Sequence, residues 1–172
     1  MRIYDGSPRQ DWEEVLRSVG AFADGEQLKE VLFLELEAGF ILQGLAQPKT
    51  SAWAEGSGAL VKHTFELVEE QISELLDRQA AARSSADPQV PSAEIGHYYE
   101  QALRVLGAYV DTQRARDLFF FEQDGSFVLR LLATNASGAI AHTLAEFTRD
   151  EILAMIEAAP QQRHAAPETP GA

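Results

Sequence analysis

Cysteine is absent from the 172 residues, which excludes disulfides, thiolate metal sites and cysteine nucleophiles. Positive charge is scarce: 14 Lys and Arg stand against 27 Asp and Glu, a formal charge of -13. A phosphate backbone is held by clustered cations that displace counterions, so nucleic acid is not an expected partner. Long apolar runs are missing as well. No stretch approaches the roughly 18 residues that span a bilayer, and MRIYDGSPRQDWEE lacks the apolar segment of a secretory signal. The expectation is a cytoplasmic protein without a membrane span. Gly56 to Gly58 lacks the lysine and the spacing of a phosphate-binding loop.

What is present is a folded composition, 45% hydrophobic and 24% charged, which supplies enough apolar surface for a core without staples. The strongest signal is internal. Shifted by 87 positions, Trp12–Ala46 lies on Tyr99–Ala133 without a gap, and twelve of the 35 pairs are identical, among them Arg17/Arg104, Gly20/Gly107, Asp24/Asp111, Phe33/Phe120, Glu35/Glu122 and Phe40/Phe127. Ordinary residue frequencies give only a few such identities, so the pattern reads as an internal duplication. With a further shift, Lys62-His63-Thr64 lies on Ala141-His142-Thr143, and Ile72, Leu75 and Leu76 lie on Ile152, Met155 and Ile156.

Local patterns give each copy the order αβββα. Ser7-Pro8-Arg9-Gln10 has the form of a capping box with proline at the first helical position, so a helix should begin at Pro8. Trp12, Val15, Leu16, Val19 and Phe22 make its apolar stripe, with Glu13, Glu14, Arg17 and Ser18 on a wet face, and Asp24-Gly25 ends it. Gly20, and Gly107 in the second copy, cost about 1 kcal/mol inside a helix, which suggests close approach of another backbone. Val31–Leu36 and Phe40–Ala46 form a hairpin about Glu37-Ala38-Gly39; Leu118–Gln123 and Phe127–Ala133 form one about Asp124-Gly125, a dipeptide suited to positive φ. Ala59–Leu67 and Ala139–Phe147 read as third strands, followed by helices from Val68 to about Ala82 and from Arg149 to Ala159, the latter opened by the capping box Thr148–Glu151. The second copy's first helix spans about Ala93 to Thr112.

The expected fold is therefore α+β, two αβββα units related by a pseudo-two-fold, with antiparallel strands and packed helices. The units occupy 1–83 and 93–160, joined by a linker at 84–92 within the small, polar and proline-rich stretch Ala81–Pro91 and followed by a disordered tail at 161–172. If Ala59–Leu67 were helical instead, the order αββα-αβββα would be similar to that of roadblock-like and profilin-like modules.

Candidate chemistry is thin. His63 and His142 suggest a symmetric pair, yet no histidine or carboxylate spacing matches a metal motif, and neither metal nor cofactor is expected. Glu35 and Glu122, with Arg17 and Arg104, suggest either acid/base carboxylates or a helix-to-strand ion pair in each copy. More informative, the strands are apolar on both faces: Leu32, Leu34 and Leu36 oppose Val31 and Phe33, and Phe119 and Phe121 oppose Leu118 and Phe120. Two arrangements meet this. Helices from the two copies cover both faces of a shared sheet, or the face with Leu32, Leu34, Phe119 and Phe121 meets a protein partner or a second chain. The reading that follows is a non-enzymatic interaction module, an adaptor or chaperone-like protein binding a partner through a sheet face or edge. Its mixture of helix, strand meander and acidic surface resembles that of secretion chaperones. The alternative is a small-molecule sensor holding its ligand between the copies near Trp12, Phe22, Tyr99 and Tyr109.

Overall fold

The computed structural model describes residues 11–36, 39–48, 59–85 and 98–158. Its elements are α1 (Trp12–Gly25), β1 (Lys29–Leu36), β2 (Gly39–Ala46), β3 (Val61–Val68), α2 (Glu69–Ser85), α3 (Tyr98–Thr112), β4 (Asp117–Gln123), β5 (Ser126–Thr134), β6 (Ile140–Phe147) and α4 (Arg149–Ala158). The fold is α+β, with six strands in one antiparallel sheet ordered β3-β2-β1-β4-β5-β6. Val61–Val68 is a strand, so the roadblock-like and profilin-like order does not apply. No described helix is long and apolar enough to cross a membrane.

The β4–β5 hairpin follows from its turn. Asp124 and Gly125 both take positive φ, 51° and 82°, and close a two-residue turn between Gln123 and Ser126. At the sheet centre β1 meets β4 through Leu32↔Phe121, Phe33↔Phe120 and Leu34↔Phe119, a register symmetric about the Phe33 and Phe120 rings. Those rings stack at 5.0 Å with 8° between their planes.

All four described helices pack on one side of the sheet. Val31, Phe33, Phe40, Leu42, Leu118, Phe120, Phe127, Leu129 and Leu131 are buried beneath Trp12, Leu16, Leu103 and Leu106, with Ile72, Ile152 and Ile156 joining from α2 and α4. Helices on both faces, the first of the two arrangements expected from the strand pattern, is therefore corrected: among the described residues only one face is covered. On that side α2 packs beside α1 and α4 beside α3.

Helices α1 and α3 run antiparallel and touch at their glycines. A Cβ on Gly20 would strike the Tyr99 carbonyl, and one on Gly107 would strike the Trp12 carbonyl, so both glycines are required by backbone contact. Each helix is capped by the other. The carboxylate of Asp111, in the last turn of α3, accepts from the backbone N–H groups of Trp12 (3.0 Å) and Glu13 (3.1 Å); Asp24, in the last turn of α1, accepts from those of Tyr99 (3.0 Å) and Glu100 (2.9 Å). Two backbone donors and the positive end of each of these helices are thus satisfied from the far side of the chain.

Several boundaries differ from expectation. Asp11 is non-helical and α1 begins at Trp12, so the expected start at Pro8 is not where the helix opens; Pro8 itself lies outside the described residues. Arg17 and Ser18 are buried, because α3 covers the face expected to be wet. Helix α2 continues through Ser85, past the Ala81 at which small and polar composition suggested a linker. Neither 86–97 nor the tail at 161–172 falls within the described residues.

Candidate functional site

The side of the sheet away from the helices carries the candidate surface. Strand registers place Leu34 beside Phe119 and Leu32 beside Phe121, so the four residues singled out from the sequence form one block at the centre. Ile41 and Leu45 extend it on β2, Val128 and Leu132 on β5. The block is half-buried, and within it Phe119 and Phe121 lie 6.0 Å apart. Toward the β6 edge, Leu144 is 72% exposed and Ile140 56%. The Arg130 guanidinium sits 5.3 Å over the Phe119 ring, which anchors a cation within the apolar field.

The charges on this face are balanced. The registers align Lys29, Lys62 and Arg130 with it on one sign and Glu66, Asp117 and Glu146 on the other. In a chain of net charge -13 the excess acid therefore lies elsewhere.

The glutamates point the other way, toward the helices. Glu122 accepts a 2.6 Å hydrogen bond from the Tyr99 hydroxyl. Backbone N–H groups of Glu30 and Val31 also face its carboxylate. They are available because β1 bulges between Lys29 and Leu32, with Glu30 at φ 50°. Burial raises the Glu122 pKa above the ordinary carboxylate value, and these hydrogen bonds only partly oppose the rise. Burial likewise raises the Tyr99 and Tyr98 hydroxyls. A carboxylate held by a tyrosine and two backbone donors is a device for fixing a bulge, and the negative charge of Glu30 on that bulge adds to the rise in its pKa.

Arg17 pairs with Glu100 of α3 at 3.0 Å, helix to helix across the halves. Arg104 is wholly enclosed. No period along the chain announces the Arg17–Glu100 pair, because its members are 83 residues apart.

The histidines are not equivalent. His63 lies opposite Gly44, whereas His142 lies opposite Leu132. Gly44 corresponds to Leu131, whose partner is Thr143, so the alignment of His63 with His142 is one residue out of register. In a strand a slip of one changes the face. His63 is therefore on the helix side, 6.4 Å from the Phe65 ring, and His142 is exposed on the opposite side. Among the described residues no three His, Asp or Glu converge to hold a metal.

Of the residues considered for a ligand between the copies, Trp12 and Tyr99 are core residues, and Tyr109 packs edge-on against Phe147 at 5.0 Å. Phe22 borders a cavity of about 380 Å³ at the β3–α2 corner, with Phe65, Leu75, Glu74 and Arg78. A polar groove of about 530 Å³ at the end of α3, lined by Thr112, Gln113, Arg114, Arg116 and Thr134, was not signalled by any motif. The chain matches no protein-family model, no curated protein and no solved structure.

Proposed function

We propose that this protein is a non-enzymatic interaction module, adaptor or chaperone-like, whose working surface is the helix-free face of the sheet. One observation carries the reading. Leu32, Leu34, Phe119 and Phe121 stand together at the centre of a face over which no described helix passes. Soluble proteins seldom leave so broad an apolar field open unless it meets something. The titratable groups of the opposite face are spent on structure, Glu122 on a bulge and Arg17 on Glu100, which favours binding over catalysis.

We further infer that the two halves descend from one αβββα unit, fused and related by a pseudo-two-fold through Phe33 and Phe120. The reciprocal caps of Asp24 and Asp111, the reciprocal contacts of Gly20 and Gly107 and the symmetric strand order support this. A duplication of this kind doubles the width of the binding face without adding an edge at its middle.

The test is affinity capture with the wild-type chain and with Phe119→Ser and Phe121→Ser, each verified as folded by circular dichroism. Proteins retained by the wild type should be lost from both variants. Retention undiminished by either substitution would remove the face from the function.

A further inference from the structure

We infer that the occupant of the open face is a second copy of this chain, laid face to face about a two-fold axis running along the strands; the inference rests on the reading that this face is the working surface. Size is the first argument. Six strands at ~4.8 Å spacing and about eight residues at ~3.4 Å each make a face of about 800 Å², the amount each partner buries in a stable interface of standard size. The charge pattern is the second. The half built from β1, β2 and β3 contributes Lys29, Lys62 and Glu66; the half built from β4, β5 and β6 contributes Arg130, Asp117 and Glu146. One half is thus positive and the other negative, within a face that is neutral as a whole.

An axis along the strands exchanges the halves, so that β1–β3 of one copy lie on β4–β6 of the other. The register makes the match more specific. Glu66, Ile41, Leu34, Phe119, Arg130 and Leu144 share one row across the sheet, while Thr64, Gln43, Leu32, Phe121, Val128 and Glu146 share the next. Reversing the row order brings Leu34 over the second copy's Phe119 and Leu32 over its Phe121. Glu66 falls beside the second copy's Arg130, and Lys62 beside its Glu146. Aligned sheets pack in this way at about 10 Å with a modest rotation. A foreign partner would have to be both apolar and locally neutral, whereas the face already supplies its own complement, as an isologous dimer requires. The remaining acidity, directed away from the contact, keeps the dimer soluble.

The test is sedimentation velocity of the full chain over a wide concentration range, with Glu66→Lys, Arg130→Glu and the double variant, alongside hydroxyl-radical labelling of Phe119 and Phe121. Both substituted positions are exposed, and circular dichroism verifies that all three variants fold. The expected result is a wild-type dimer in which Phe119 and Phe121 are protected, weakened about tenfold or more by either single charge reversal and restored by the double variant. Leu144→Lys, at an exposed edge position, should weaken it independently. A wild-type chain that stays monomeric with both phenylalanines labelled overturns the dimer and leaves the face free for another protein. A monomer with both protected overturns the dimer and the interaction reading together. A dimer indifferent to the charge reversals and to Leu144→Lys overturns this geometry.

Discussion

At the seam between the halves, α1 and α3 make interchangeable contacts: each presents a glycine to the other's first turn and an aspartate to the other's first N–H groups. At the outer ends of the sheet the halves part. Helix α4 opens with a full capping box, Thr148 Oγ1 accepting from Glu151 N–H at 3.2 Å and Glu151 accepting from Thr148 N–H at 3.0 Å. At the start of α2, Gln71 accepts from Val68 N–H at 3.1 Å, but valine has no hydroxyl to reciprocate. Phe65 fills the position taken by Ala145 in the other half, and a cavity opens beside it. The contrast teaches where constraint resides. A residue that contacts its own counterpart's surroundings is constrained from both halves, whereas a peripheral residue answers only to its local packing.

The largest test of that contrast is at the helix crossing. Gly20→Ala and Gly107→Ala should each cost about 3 kcal/mol, since the added methyl meets backbone carbonyl rather than a movable side chain. Gly25→Ala, with nothing near its Cβ, should change stability by at most about 1 kcal/mol. Urea denaturation compares the three, and equal effects would break the argument for seam constraint. Next come the reciprocal caps. Asp24→Ala and Asp111→Ala should each destabilise by about 2 kcal/mol, and by similar amounts, because each removes two charge-assisted bonds at a helix start. A large inequality would show that the two sides of the seam are not equivalent.

At the periphery the effects should be smaller and unequal. Thr148→Ala should cost about 1 kcal/mol by thermal denaturation, while Val68→Thr should add a few tenths by completing the box at α2. The smallest effect is on pH dependence. The Glu122 pKa is raised in the fold, so its contribution to stability is complete below the ordinary carboxylate range and is lost as pH rises through the raised value. Glu122→Gln should flatten that part of the stability-against-pH curve. Tyr99→Phe removes a donor that lowers the pKa, so it should move the loss to higher pH. Curves parallel to wild type would show that Glu122 does not titrate in this window.

Much of the candidate surface is legible in the sequence. Leu32, Leu34, Phe119 and Phe121 were identified by strands apolar on both faces, and their assembly into one block follows from the antiparallel seam. The partner of Glu122 was not legible, because Tyr99 lies in another element and the two backbone donors exist only through a bulge in β1. The two histidines misled for a related reason: identity at a one-residue offset is easily seen in a sequence, yet that offset exchanges the faces of a strand.

Residue order alone determined the kinds of element and their succession, because helix and strand periods, the Asp124-Gly125 turn and the Thr148–Glu151 cap act over a few residues. It also marked Gly20 and Gly107 as places of close approach. Only the tertiary structure decided that every described helix lies on one side of the sheet, that Arg17 is buried against Glu100, and that α1 and α3 are each capped by an aspartate 75 to 99 residues away. Those outcomes depend on how distant surfaces pack together, and no local period carries that information.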